Sequence, residues 1–526
     1  MPEYSTRENR ETPSTPTGHH PVGRLEKGMS PTSSMHVDGE SDGRVVPAKG
    51  SNKGGQPLAE SLEGRRPTKE NIEHPTAPRT QSRTSESSGL LGVRNVARQE
   101  KHTRFTALLH HVTVERLRDS VYALKRDAAP GVDGVTWREY ETDLLGRVVD
   151  LHRRVHAGSY RAQPSKRAYI PKADGGQRPL GIAALEDKVI QHAVGAVLAT
   201  IYEADFLGFS YGFRPGRSQH HALDALWVGL MRKTVNWVLD ADIRAFFDTM
   251  DHGWLMRFLE HRIADRRILR LIRTWMRAGV SEDGTWSKTE VGTPQGAVIS
   301  PLLANIFLHY VFDLWVRRWR RRSATGDMIV VRYADDIVVG FEHRADAERF
   351  LHEWEARLRS FGLELHPDKT RLIEFGRHAA DHRKRRGESK PDTFDFLGFT
   401  HLCGTTRKTG RFIVKRQTIR KRLSAKLKAL KAELRHRWHT PVRQVGQWLR
   451  SVVQGWLNYH AVPGNMDSLN VFRSQVLRYW FRALRRRSQR RPMTWARFLR
   501  LVGRWIPSAR ILHPYPNVRF DAMHPR

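Results

Sequence analysis

From about Arg104 onward apolar residues recur at helical spacing, as in TVERLRDSVYALKRD (113–127), whereas residues 1–95 have almost no periodic apolar positions. That first stretch is rich in Ser, Thr, Pro, Gly, Glu and Arg and cannot bury enough surface to offset its chain entropy, so it is predicted to be a disordered tail. APGVDGVT (129–136) is a Gly-punctuated loop. In RAYIPKADGGQRPLGI (167–182), alternating flanks around Asp174-Gly175-Gly176 predict a β-hairpin with Lys172 before the turn and Arg178 after it. In VNWVLDADIRAFFDTMDH (235–252), Val235, Trp237 and Leu239 alternate as a strand, Asp240 and Asp242 close it, and Phe246 and Phe247 open a helix. MIVVRYADDIVVG (328–340) is a second predicted hairpin: two β-branched runs flank a short polar centre, Tyr333-Ala334-Asp335-Asp336. Further on, Phe350, Leu351, Trp354, Leu358 and Phe361 share one helical face with Gly362 as its stop, and Leu423, Leu427, Leu430 and Leu434 share another.

Charge changes the picture more than length does. The 526 residues carry a formal +35, and from His401 onward 29 Lys and Arg stand against three acids, so the last quarter holds +26 of it. Six of the 15 tryptophans lie in the same stretch, which favours a folded basic domain whose partner is a polyanion, nucleic acid first. No run reaches the roughly 18 apolar residues of a membrane span, and no signal-peptide core opens the chain. The single cysteine, Cys403, excludes an intramolecular disulfide and a Cys-rich zinc module. A cytoplasmic, nucleic-acid-associated protein without a membrane partner is the expectation.

Against that background the acids acquire meaning. Two carboxylates at a hairpin tip also suit an ordinary surface turn, but joined by a remote Asp242 they become three oxygen donors able to hold two hard divalent cations. Such a site suits nucleotidyl transfer, in which the protein contributes placement and charge rather than a nucleophile. Asp240, Asp248 and Asp251 are rivals, and spacing alone does not choose between Asp242 and Asp240. Lys172 and Arg178 are a point charge and a planar fork suited to a triphosphate, or simply solvated cations on an exposed hairpin.

The ordered blocks IPKADGGQRPLGI, SYGFRPGRS, LDADIRAFFDTMDH, GTPQGAVISPLLANI, VRYADDIVVG, LELHPDKT and FDFLGFTH resemble the fingers and palm of group II intron reverse transcriptases. GWLNYHAVPGN (455–465) and the helix leading into Arg485-Arg486-Arg487 resemble the maturase domain of that family. The resemblance implies an α+β right-hand polymerase: a tail over 1–95, fingers and palm with an antiparallel palm sheet over 101–402, a helical thumb and maturase domain over 403–510, and a tail over 511–526. It implies metal binding by Asp242, Asp335 and Asp336 with the Ile243 carbonyl, two Mg²⁺ ions with Mn²⁺ as a substitute, and Lys369 as proton donor to pyrophosphate. Lys172, Arg178, Phe247, Gln295 and Gly296 would bind the dNTP, Phe247 as a gate against a ribose 2′-hydroxyl. Tyr333, Leu397 and Gly398 would meet primer and template, and the basic residues of 403–510 collectively, including Arg485, Arg486 and Arg487, would bind RNA. The implied partners are intron RNA, an RNA template with a DNA primer, dNTPs and target DNA.

No His-Asn-His nuclease block or Cys-paired zinc motif follows residue 510, so second-strand nicking during mobility is expected to come from elsewhere. Two other readings stay open: a free-standing relative serving host repair or defence, and an RNA-binding splicing factor with little polymerase activity.

Overall fold

In the computed structural model, described over residues 88–524 except 172–176, 283–284, 288–291, 293–295, 407 and 488–492, the strands form three sheets. The first has the order β2-β1-β4-β5, from β1 (Ser165–Pro171), β2 (Gln177–Ile182), β4 (Val280–Glu282) and β5 (Thr285–Ser287). The second, β6-β7-β3-β8, comprises β3 (Trp237–Asp242), β6 (Met328–Tyr333), β7 (Asp336–Phe341) and β8 (Arg371–Glu374), every neighbour antiparallel. The third, β11-β10-β9, comprises β9 (Phe394–Phe396), β10 (Phe399–Thr405) and β11 (Phe412–Thr418).

The second sheet is the palm, and it is covered on both faces. Leu239, Val330, Ile337 and Val339 face a large core with the surrounding helices, while Val238, Val331, Val338 and Ile373 face a second core shared with the third sheet. Strands buried on both sides read as continuous apolar runs, which is why MIVV and IVV lack a polar alternation. The helix Leu185–Asp205 runs through the first core, and Phe350, Trp354 and Leu358 of the helix Arg344–Arg359 are fully buried in it, with Gly362 at φ +74° just beyond.

Beyond β11 the helices Arg420–His436, Val442–His460, Met466–Arg485 and Trp495–Val502 share a separate core that includes Leu427, Leu430, Leu434, Trp456, Phe472 and Trp480. Buried Asn465 joins this bundle to the third sheet: its amide accepts from Thr418 N (3.0 Å) and donates to Thr418 Oγ1 and His460 O (both 2.8 Å). No helix among the described residues is long and apolar enough to cross a membrane.

Both ends differ from expectation. The helix Ser88–Gln99 begins inside the stretch read as a tail over 1–95, because Leu90 and Ala97 bury one side of it against Leu185–Asp205; residues 1–87 lie outside the described residues. The segment 511–526, also read as a tail, contains the helix Pro516–Met523 packed on Gln219–Arg232. Ionic contacts anchor it: Arg519 and Arg416 both donate to buried Asp224, and Arg232 donates twice to Asp521 (2.8 and 2.7 Å). An ionic anchor leaves no apolar periodicity to read.

One buried cation organises the palm hairpin. Arg332 is fully buried, and its guanidinium donates to both Asp313 oxygens (2.7 and 2.6 Å), Asn305 Oδ1 (2.9 Å), Ser210 Oγ (2.7 Å) and the Ala334 carbonyl inside the turn (3.1 Å). Asp313 reaches it from a one-turn π-helix, His309–Asp313, an irregularity that re-aims a side chain. Burial raises the Asp313 carboxyl, yet Arg332 and His309 outweigh it and hold the group below the usual carboxylate range. Lys at 332 cannot reproduce the fork and leaves Asp313 underpaired, so Arg332→Lys is expected to cost about 3 kcal/mol of stability, read from denaturant midpoints.

His401 supplies a pH-dependent test. It is fully buried, stacks on Phe394 (4.8 Å) and has no hydrogen-bond partner at either ring nitrogen. Burial first, then Arg416, lowers its pKa to about 3. Between that value and the unfolded one the unfolded chain binds more protons, so the His401 contribution falls as pH falls. His401→Phe keeps the stacking and removes the titration. It should match or exceed the wild type in thermal stability near neutral pH, with its advantage growing by about 2 kcal/mol on acidification to about pH 5. A constant difference across that range would contradict this.

Candidate active site

Strand register brings the remote acid to the hairpin. Asp242, last residue of β3, is the direct partner of Asp336, first residue of β7, and Asp336 also pairs with Tyr333 to close a two-residue turn, Ala334-Asp335. Side chains opposite one another on antiparallel strands lie on the same face within about 5.5 Å at Cβ, so like charges there repel unless a cation intervenes. Asp240 lies two residues inward, opposite Val338, where Arg371 engages it at 3.6 Å. Burial raises the Asp240 carboxyl to about 6, with Arg371 opposing. Asp251 caps the helix His252–Glu260 by accepting from Trp254 N (2.7 Å), and Asp248 is exposed. The strand-end position thus distinguishes Asp242 from its rivals.

The backbone is strained at these residues. Four non-glycine residues among those described have left-handed φ: Phe213 (+55°), Ala245 (+46°), Ala334 (+56°) and Leu397 (+45°). Ala334 is in the acidic turn and Ala245 follows Asp242 by three residues. The Phe213 ring lies 6.1 Å from that of Tyr333, and Leu397 with Gly398 (+86°) forms the β9–β10 turn. Such conformations persist where surrounding contacts over-determine them. Here Gly212 packs so tightly that a Cβ would stand 2.3 Å from Ala334 N, and Asn305 Nδ2 holds the Gly212 carbonyl at 2.7 Å. The Tyr459 hydroxyl donates to Leu397 O (2.7 Å), and a Cβ on Gly398 would lie 3.2 Å from Arg422 Nη1.

The electrostatics call for a cation. The Asp336 carboxyl is pushed up to about 8, first by crowding that strips hydration and then by Asp335, Asp242 and Asp240, with Arg422 opposing. Asp336 still opens to solvent at the mouth of the cleft, so the like charges rather than full dehydration are the firmer cause. Lys369 Nζ donates to Asp242 Oδ2 at 2.7 Å while itself largely exposed. Among the described residues no three His, Cys, Asp or Glu side chains are already drawn together as ligands. The donors are nevertheless all oxygen and mutually repulsive, which fits a hard divalent cation. The Ile243–Leu365 bridge uses His366 N to Asp242 O (2.8 Å) and Arg244 N to Glu364 O (2.9 Å), and so leaves the Ile243 carbonyl outside its hydrogen bonds.

The remaining expected residues are distributed as follows. Phe247 is half-buried and meets Phe246 edge-on (5.5 Å). The chain at Gly292 passes so near that a Cβ there would stand 2.8 Å from Phe247 O. Gly296 (φ +114°) is exposed, and a Cβ on it would stand 2.9 Å from Gly181 O, so Gly296 itself abuts β2. Lys172, Gln295 and the Arg178 side chain lie outside the described residues; the Arg178 backbone pairs with Ile170. Arg485 and Arg486 are exposed, whereas Arg487 donates to Thr440 O (2.9 Å) and Arg437 O (3.1 Å) and so braces a loop. Sequence reasoning missed Arg332, Asp313, Ser210, Arg422 and Tyr459; an arginine inside an apolar strand run was the available signal for the first.

Comparison with known proteins agrees with this geometry. The family pattern for Reverse transcriptase (RNA-dependent DNA polymerase) matches residues 170–401. The chain is similar to Protein YkfC of Escherichia coli (strain K12), 33% identical over 299 residues covering 50% of this chain and 78% of that protein. It is similar to the Group II intron-encoded protein LtrA of Lactococcus lactis subsp. cremoris, 36% identical over 193 residues (36% of this chain, 31% of that one). It also resembles an uncharacterized 91 kDa protein in a cob intron of Schizosaccharomyces pombe, 27% identical over 391 residues (61% and 46%), so the chain spans less than half of the latter two relatives. With register-paired aspartates at the end of a palm strand and this coverage, the chain belongs to the reverse transcriptases, RNA-directed DNA polymerases of the group II intron maturase type.

Proposed function

We propose that the protein copies RNA into DNA by two-metal nucleotidyl transfer, that it binds its intron RNA through residues 403–510 to assist splicing, and that it supports mobility by target-primed reverse transcription. The observation that carries the catalytic part is the register pairing of Asp242 with Asp336 beside the strained Ala334-Asp335 turn. Asp242, Asp335 and Asp336, with the Ile243 carbonyl, would hold two Mg²⁺ ions, or Mn²⁺ in their stead; bound there, they supply Lewis-acid activation of the primer 3′-hydroxyl and neutralise the pyrophosphate.

The chain's own residues do the remaining work. Lys369, whose Nζ donates to Asp242 Oδ2 at 2.7 Å and is otherwise exposed, stands close enough to the carboxylates to donate a proton to the leaving pyrophosphate. Lys172 and Arg178 hold the triphosphate, Gln295 and Gly296 border the incoming base, and Phe247 closes the space a 2′-hydroxyl would need. The turn Leu397-Gly398, held by Tyr459 from the thumb, supports the primer backbone, and Tyr333 packs near the primer end. The basic residues of 403–510 bind phosphates of folded intron RNA, whose compaction requires counter-charge.

Primer extension on an RNA template with Mg²⁺ tests the reading: the wild type extends, and an Asp335→Ala, Asp336→Ala double variant falls by at least about 10³-fold while retaining intron RNA binding. An inactive wild type that still promotes splicing would leave only an RNA-binding splicing factor. Phe247→Ala is expected to raise ribonucleotide incorporation relative to deoxynucleotide by about 10²-fold in single-nucleotide assays; unchanged selectivity would remove Phe247 from the gate.

A further inference from the structure

At the end of β6 away from Tyr333, the strand and the helix Gln219–Arg232 bound a groove of about 580 Å³. Val228, Met328 and Ile329 give it an apolar lining, and Phe209, Phe520 and His524 add rings, the last two 4.6 Å apart. Four cations complete it. Arg232 and Lys233 are already matched by Asp521 (2.7 Å) and Asp327 (3.0 Å). Arg317 and Arg320 are different: the charges acting on Arg320 are those of Arg321 and Arg317, both repulsive.

These two arginines belong to the helix Leu314–Arg322, LWVRRWRRR, which carries five arginines. The pairs 317/320, 318/321, 317/321 and 318/322 all stand three or four residues apart, where like charges destabilise a helix. Buried Val316 and Trp319, the latter donating to Glu353 (2.9 Å), hold the helix against that repulsion. The face is electrostatically incomplete and a polyanion would complete it. The adjoining lining decides which polyanion. Acidic side chains could satisfy the guanidinium groups but would leave the apolar, ring-lined groove unfilled. A single-stranded nucleotide brings both a phosphate and a flat base able to stack on aromatic rings.

We propose that this groove is a second RNA-binding site, which takes one unstacked base of a single-stranded RNA segment while Arg317 and Arg320 hold the adjoining phosphates. It goes beyond the proposed function, since it uses neither the carboxylate cleft nor residues 403–510.

The test uses the full chain with an annealed template and primer occupying the polymerase cleft. The probe is a 15-nucleotide single-stranded RNA with a central 4-thiouridine. Ultraviolet crosslinks are expected in the segments 207–211, 328–331 or 516–524. In an Arg317→Gln, Arg320→Gln variant they should disappear, oligonucleotide affinity should fall about tenfold at physiological salt, and the slope of log K against log salt should shrink by about 1.4. Relief of like-charge repulsion should keep the variant's thermal midpoint at or above the wild type, and its primer extension on the annealed substrate within twofold. Crosslinks and salt slope unchanged in the variant would overturn the proposal. So would a loss of primer extension in step with RNA binding, which would make the two sites one. A deca-glutamate peptide that binds in an Arg317- and Arg320-dependent way where the RNA does not would reassign the groove to an acidic protein.

Discussion

The Arg332–Asp313 pair is the constraint on which the rest of the palm depends. A guanidinium and a carboxylate without water between them are stable only if their remaining hydrogen-bonding capacity is met, and each partner that meets it belongs to a different segment. Ser210 comes from the loop before the helix Gln219–Arg232, Asn305 from the helix Ser300–Leu308, Asp313 from the π-helix that continues it, and Ala334 O from the acidic turn. A change in any one leaves a buried charge or dipole unmatched, so four segments are locked in register by one side chain. The acidic turn, with Ala334 in a conformation that favours glycine, is held in shape from behind rather than by its own preference.

The third sheet is tied to the helices around it, the bundle among them, through similar contacts. Asp224 is shared by Arg416 of β11 and Arg519 of the C-terminal helix, Asn465 ties the bundle to Thr418, and Tyr459 reaches back to the Leu397 carbonyl. Arg422 of the bundle lies beside Gly398 and its charge acts on the Asp336 carboxyl, so repositioning the bundle would be felt at the carboxylates. This links the basic domain, whose charge suits RNA, to a cleft whose acids suit metal.

Much of this was legible in the sequence, for identifiable reasons. Both palm hairpin strands announce themselves by β-branched runs, the helical faces by their leucine and phenylalanine spacing, and Asp335 and Asp336 by lying at a turn. Spacing alone did not separate Asp242 from Asp240, because both acids lie on the same face of one strand; the resemblance pointed to Asp242, and register with β7 sets that residue, not Asp240, opposite Asp336. Arg332 was passed over because a charge within a strand reads as an interruption until its four partners, from 122 residues before it to the turn just after it, are brought together. The helices Ser88–Gln99 and Pro516–Met523 were missed for opposite reasons: the first sits in a compositionally polar stretch and buries only a narrow face, and the second is held by ion pairs.

The most direct measurement is a crystal structure grown with Mn²⁺ and recorded at a wavelength where manganese scatters anomalously. The expected result is anomalous density between Asp242, Asp335 and Asp336, with Lys369 moved off Asp242 and the Arg332 contacts unchanged. Density elsewhere on the molecule, with the Lys369–Asp242 pair intact, would contradict the assignment of these aspartates as the metal site.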